Sequence, residues 1–263
     1  MLPNPIISID ALNINIYMYG IMIAVGILAA FVVLFGYGKL LKIKDSFLDF
    51  IFYNALVSIA VGFGAAALFQ ATYNYIENPD AGFDLGGGIT FIGGFIGGAL
   101  CFLAIYFIFR RRLEGRLIEA VSMIPCCITV GHAFGRIGCF FAGCCYGKAT
   151  DGIFGVEFHP ASPAPSYPVH PTQLYEAIFL FVLFGVCTLL VLKFRFKHNL
   201  SLYFIGYGIF RFLLEYVRDD DRGALVGGIS PSQFWSLGLI VTGIAVVVIW
   251  ELVERKKRTV VSE

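Results

Sequence analysis

The chain has 263 residues, of which 58% are hydrophobic and 14% charged, with a mean hydropathy of +0.81. A soluble domain carries about one-quarter charged residues, so this composition excludes a soluble globular protein and marks an integral membrane protein. A net charge of +1 gives no bulk basic character that points to nucleic acid, and no nucleic-acid partner is expected.

A helix crossing about 30 Å of hydrocarbon needs roughly 20 apolar residues. Seven runs meet that need, at about 17–38, 47–72, 89–109, 118–138, 172–193, 200–217 and 232–253. No Lys or Arg precedes the first run, which continues past the length of a signal-peptide core, so no cleavable signal is expected. The fold class predicted is an all-α integral membrane protein, a single membrane domain built as a bundle of seven transmembrane helices.

Lys39, Lys42 and Lys44 follow the first run, and Arg110, Arg111, Arg112 and Arg116 the third. Lys193, Arg195 and Lys197 follow the fifth, and Arg255, Lys256, Lys257 and Arg258 the seventh. If the helices alternate, all these groups fall on one side, which the positive-inside rule makes cytoplasmic. The amino terminus is then outside and the carboxyl terminus inside, as an odd number of spans requires. The tail after Lys256 is read as loose.

Topology leaves Arg136, Lys148, Arg211, Arg218 and Arg222 unexplained, all at or near the outer ends of runs. Interfacial snorkelling suits Lys148 and Arg222. Arg136 and Arg211 sit in apolar surroundings, where an arginine costs about 2.5–3.5 kcal/mol on insertion scales and needs an anionic partner. The outer segment 139–171 carries Pro160, Pro163, Pro165, Pro168 and Pro171, which resist regular structure and predict a semi-rigid arm. Ile153 to Phe158 is expected to form a short strand in it. Residues 219–230 form another outer loop, with Asp219, Asp220 and Asp221.

Tyr207, Arg211, Glu215 and Arg218 are spaced four, four and three apart, so on a helix they share one face. That stripe is either a buried ion pair joining two helices or one wall of a polar site. His132, Arg136 and Cys139 are likewise spaced four and three. Gly131, Gly135 and Gly138 permit close approach of a helix or a head group. A guanidinium presents planar, bidentate donors that match a phosphate. Two such arginines on two helices suggest a clamp for a phosphate-bearing lipid.

GGGITFIGGFIGG at 86–98 points to tight helix packing or to a wall of the lipid cavity. In His170-Pro171-Thr172-Gln173-Leu174-Tyr175-Glu176, Pro171 suits the first turn of a helix. Glu176 falls a turn into the membrane, as a hydrogen-bond partner for an arginine or as a general base. Of the seven cysteines, Cys101, Cys126, Cys127 and Cys187 lie in apolar runs and read as small core residues. Cys139, Cys144 and Cys145 form C-x4-C-C, which is no zinc spacing, and no CxxC pair accompanies it, so no metal is expected. A disulfide from Cys139 to Cys144 or Cys145, and simple packing, both stay open.

These segments resemble the prolipoprotein diacylglyceryl transferase family. GRIGCFFAGCCYG at 135–147 is similar to that family's signature, usually GRxGNFxNGExxG. HPTQLYEA at 170–177, YGIFRFLLEYVRDDD at 207–221, MYG at 18–20 and GGITFIGGFIGG at 87–98 match its other motifs in family order. The resemblance implies transfer of a diacylglyceryl group from phosphatidylglycerol to the lipobox cysteine thiol of a prolipoprotein, without a cofactor. It implies a bacterial cytoplasmic (inner) membrane location, with the active site toward the outer leaflet.

By position, Arg136 and Arg211 would bind and stabilise the phosphate, and Glu215 would orient Arg211 with Tyr207 one turn away. Tyr19, Glu176 and Gly147 would shape the site. Gly135, Gly138, Gly143, His170 and Cys139 complete the candidate substrate-binding set. Departures are Ile92 in place of a histidine, Ala66 where an arginine is common, Cys139 and Ala142 for two asparagines, and Cys144 for a glutamate. His132 replaces an apolar residue and is a candidate substitute base, because a histidine titrates near neutral pH. The alternative is a divergent or inactive relative that binds phospholipid or a partner protein, or one that acts on a different acceptor.

Overall fold

A computed structural model describes residues 2–9, 14–86, 88, 90–218 and 229–262. Asp219, Asp220, Asp221 and Arg222 lie outside the described residues, as does the side chain of Ile92. The chain is mostly helical. Among the described residues, six helices are long and apolar enough to cross a membrane, and Gly93–Phe109 is a shorter apolar helix. The protein is therefore a multi-pass membrane protein. It divides into two compact units, Met1–Tyr37 with Ala120–Glu263, and Gly38–Glu119.

The first unit begins with an antiparallel hairpin of β1 (Ile7–Ile9) and β2 (Ile14–Ile16), paired Ile7 to Ile16, Ser8 to Asn15 and Ile9 to Ile14. Isoleucine recurs at every second position of both strands, the period of an extended chain. Most of α1 (Met18–Leu40) follows. The unit resumes at the end of α4 (Leu117–Ala120) and continues through α5 (Ile124–Ala142), α6 (Thr172–Leu192), α7 (Asn199–Leu214) and α8 (Pro231–Ser262). Helix α5 packs on α6, α6 on α7, and α7 on α8.

Small residues set those distances. A Cβ added at Gly26 would meet Gly131 O at 2.7 Å, and one at Gly208 would meet Ser236 O at 2.9 Å. Met123, Cys126, Leu180 and Cys187 are fully buried with Asn199. Asn199 Nδ2 donates to Ser122 O (2.7 Å) and Cys187 O (3.1 Å), while its Oδ1 is buried without a hydrogen-bond partner among the described residues.

In the second unit α2 (Asp45–Glu77) packs on α3 (Phe91–Phe109). The glycine-rich stretch serves this contact. A Cβ at Gly94 would lie 3.2 Å from Ala66 Cβ, and one at Gly98 would lie 3.1 Å from Ser58 O. The Thr90 amide donates to Ala66 O (3.2 Å), and Thr90 Oγ1 also bonds Gln70 Oε1.

Four expectations change. The run at 118–138 is not one helix: a single turn ends at Ala120, and α5 starts beside Pro125 and continues to Ala142. Proline is favoured in a first helical turn, where its missing N–H costs nothing, so the helix is shifted and the segment after it starts at Gly143 rather than 139. Ile153 to Phe158 is no strand. Gly152 N donates to Thr150 Oγ1 and Gly155 N to Gly152 O, which turns the chain, and Val156 is the one residue of this segment in a bridge, to Val169. Pro171 precedes the first turn of α6 instead of lying in it. The tail continues α8 through Ser262.

Candidate active site

Glu176, 1% exposed, lies in the second turn of α6 and gathers side chains from α5 and α7. Its Oε1 accepts a hydrogen bond from Tyr207 Oη at 2.7 Å, and Arg136 Nε lies 3.0 Å from the same oxygen. His132 Nε2 is 3.6 Å away. The His132 ring meets Tyr207 edge-on at 5.2 Å, and Tyr207 stacks on Tyr203 at 5.8 Å. Helical spacing of four puts His132 and Arg136 on one face of α5, and the packing of α5 on α6 turns that face to Glu176.

The Arg136 Nε–H is not aimed along a hydrogen bond to Glu176, so the pairing is ionic. Among the described residues, no other ion pair or hydrogen bond engages this guanidinium. Its two terminal amino groups remain available as a planar fork. An added Cβ at the adjacent Gly135 would meet nothing within 4 Å, so α5 borders open space there.

Arg211 is differently placed. Its Nη1 donates to Glu215 Oε2 at 2.6 Å and its Nη2 to Ser232 Oγ at 2.9 Å. Ser230 Oγ donates to Glu215 Oε1 at 2.8 Å, and Arg218 Nε lies 4.0 Å from Oε2. Ser230 also starts α8 through a capping box: the Gln233 amide donates to Ser230 Oγ (3.2 Å), and the Ser230 amide donates to Gln233 Oε1 (3.1 Å). Among the described residues, Arg136 lies against Glu176, and Arg211 and Arg218 lie against Glu215.

Residues 143–148 and 170–173 lock to one another. Helix α5 ends in a Schellman motif, with Gly143 at φ 72°, its amide on Phe140 O and the Cys144 amide on Cys139 O. Thr172 Oγ1 donates to Cys145 O at 2.7 Å and Gln173 Nε2 to Cys144 O at 2.6 Å. The Gly147 amide donates to His170 O at 2.8 Å. Gly147 has no room for a side chain, because a Cβ would lie 2.7 Å from Val217 O and 2.9 Å from His170 Cβ.

With this geometry in view, comparison with known proteins is decisive. A family model described as prolipoprotein diacylglyceryl transferase matches residues 6–249. The chain belongs to that family. It is 37% identical, over 90% of its length and 94% of the relative, to a phosphatidylglycerol–prolipoprotein diacylglyceryl transferase of Clostridium tetani. It is 32% identical to transferase 2 of Clostridium perfringens, covering 94% of this chain and 96% of the relative. A relative of that name in Pseudomonas entomophila is also 32% identical, with 97% of each chain covered.

The fold gives this diacylglyceryl transferase family member's sequence-selected residues different surroundings. Arg136, His132, Glu176 and Tyr207 meet in one cluster, and Arg211 and Glu215 meet in another. Gly138 faces α1, where a Cβ would lie 3.2 Å from Tyr19 Cδ2 and from Tyr19 O. Gly143 caps α5 and Gly147 accommodates crossing chains. His170 Nδ1 hydrogen-bonds Tyr175 Oη at 3.1 Å. Thr172, Gln173, Ser230 and Ser232 escaped sequence reasoning. The capping pattern Ser-x-x-Gln at 230–233 was a readable signal, whereas the partners of Thr172 and Gln173 required the fold.

Cys139, Cys144 and Cys145 come together, with their three sulfurs all within 4.8 Å of one another, and no disulfide joins them. Hydrogen bonding to Cys139 and Cys144, aided by the charges of Arg218 and Arg136, holds the Cys145 thiol below its ordinary value. Cys139 lies about one helical turn beyond Arg136 on α5.

Proposed function

We propose that this chain transfers the diacylglyceryl group of phosphatidylglycerol to the lipobox cysteine of a prolipoprotein. The observation that carries the reading is Arg136, held by Glu176 at its Nε edge with its terminal amino groups uncommitted among the described residues. Such a fork accepts two oxygens of a phosphodiester and strengthens its hold as negative charge builds on the departing phosphate.

In this reading the acceptor sulfur forms a bond to the terminal glycerol carbon of diacylglycerol, and the C–O bond from that carbon to phosphate breaks. Glycerol phosphate leaves with the bonding electrons. His132 takes the thiol proton. Its Nε2, 3.6 Å from Glu176, has a carboxylate nearby to stabilise the imidazolium that forms. Tyr207 and Glu176 fix the orientation of Arg136. Arg211, committed to Glu215 and Ser232, contributes a fixed positive field. Tyr19 and His170 border the path of the acceptor peptide.

The same reading places seven spans in the bacterial inner membrane, amino terminus outside, carboxyl terminus in the cytoplasm and the site toward the outer leaflet. The basic residues after the first, third, fifth and seventh apolar runs support it. Purified protein is mixed with a synthetic lipobox peptide and either phosphatidylglycerol or phosphatidylcholine, and peptide mass is followed. The expected result is a gain of one diacylglyceryl group with phosphatidylglycerol alone. No gain with either lipid refutes the reading.

A further inference from the structure

We propose that Cys139, Cys144 and Cys145 form a three-thiolate site for Zn2+, with an open coordination position that takes the acceptor thiol. The metal site stands on its own geometry; the identity of the fourth ligand rests on the transferase reading above. The linear spacing C-x4-C-C matches no zinc motif, and the fold supplies what the spacing lacks.

Three features bring the sulfurs together. The Schellman turn at Gly143 folds Cys144 back over the end of α5, with its amide 3.2 Å and its Sγ 3.7 Å from Cys139 O. Cys145 has φ 63°, a left-handed conformation uncommon for a residue with a side chain. Such strain persists only where the surroundings over-determine it. Here Thr172 and Gln173 grip the carbonyls of Cys145 and Cys144. The backbone is thus pinned in the arrangement that converges three thiols.

The dimensions fit. Zn–S bonds of about 2.3 Å place the sulfurs of a three-thiolate array about 4 Å apart, and the three sulfurs lie within 4.8 Å of one another. An all-sulfur donor set selects a soft ion. Three thiolates around Zn2+ leave one negative charge, and Arg136, about one helical turn before Cys139 on α5, is a nearby cation. Three protein ligands with a fourth position open is the pattern of reactive rather than structural zinc. Cys139 is three residues beyond Arg136 on α5, so the open position borders the proposed phosphate site. A thiol binding there would pass its proton to His132, and the metal would supply the positive charge that keeps the sulfur a thiolate.

The test uses full-length reduced protein in detergent, and reads metal binding without requiring turnover. Zn2+ content is measured after dialysis. Co2+ is added as a spectroscopic probe for thiolate charge-transfer absorption. Alkylation with and without Zn2+ is mapped by peptide mass. The expected results are stoichiometric Zn2+, thiolate-to-Co2+ absorption, and protection of Cys139, Cys144 and Cys145 but not Cys101. Cys144→Ser is expected to weaken Zn2+ binding at least about 100-fold, at the upper end of the loss seen when even an outer-shell partner is removed, and Cys101→Ser to leave it unchanged.

A lipobox peptide is expected to shift the Co2+ spectrum, and its Cys→Ser analogue is not. Absence of thiolate absorption and of alkylation protection in the wild type overturns the site, as does a Cys139–Cys144 or Cys139–Cys145 disulfide in protein kept reduced throughout. Metal binding without a peptide-dependent shift overturns the assignment of the fourth ligand. Diacylglyceryl transfer measured on the same samples separates these failures from failure of the transferase reading, since transfer unaffected by metal removal leaves that reading standing.

Discussion

Arg136 and Arg211 carry the same charge but hold it differently. Arg211 spends both terminal nitrogens on Glu215 and Ser232, while Arg136 touches Glu176 only through Nε. Arg136→Lys should therefore cost more than its conserved charge suggests, because an ammonium cannot reproduce a bidentate fork. A fall in kcat/KM of about 100-fold or more is expected, the scale of losing one transition-state donor. Glu176→Gln should destabilise the fold by about 3 kcal/mol, the lower end for orphaning a buried charge, since the Arg136 side chain is 19% exposed. Denaturant unfolding in detergent checks this. The Arg211–Glu215 pair was legible from its spacing of four. The choice of Glu176 between arginine partner and base was not, because it depends on how α5 crosses α6. Its Oε1 is occupied by Tyr207 and Arg136, which favours the partner role over that of a base.

Elements position the site through their ends. The amino end of α6 holds the loop after α5 by side-chain bonds to two carbonyls, and α8 begins with a capping box whose serine also braces Glu215. Gly147→Ala is expected to destabilise by about 1–3 kcal/mol, the usual cost of overpacking, because the new methyl meets Val217 O and His170. A lowered thermal midpoint with loss of transfer is the expected outcome, and an unchanged midpoint would show that the loop yields. Gln173→Leu removes a buried donor from Cys144 O and is expected to cost about 1–3 kcal/mol. Apolar runs revealed the helices in the sequence, but not where α5 begins, since hydropathy passes smoothly through Pro125 while helix geometry does not. The short hairpin of β1 and β2 was missed for a related reason. A span search weighs windows of about 20 residues and overlooks period-two alternation across three.

For the whole molecule, the distribution of Lys and Arg gives an orientation that can be checked directly. Asn4→Cys in a cysteine-depleted chain is expected to react with a membrane-impermeant reagent in intact cells, and a reporter fused after Glu263 is expected to be cytoplasmic. The reverse pattern would contradict the positive-inside reading. The order of motifs along the chain pointed to the family without a structure, because membrane burial and phosphate chemistry restrict which residues those segments can carry. The meeting of three sulfurs from a C-x4-C-C sequence could not be foreseen, since it depends on a left-handed residue held by a neighbouring helix. Arg136 is proposed to hold the phosphate of the lipid donor during transfer. The most direct test is the initial rate of diacylglyceryl transfer from phosphatidylglycerol to a lipobox peptide, measured side by side for wild type and Arg136→Ala at equal amounts of folded protein. Conversion by the wild type is expected, with a rate about 100- to 1,000-fold lower for Arg136→Ala; equal rates would overturn this role of Arg136.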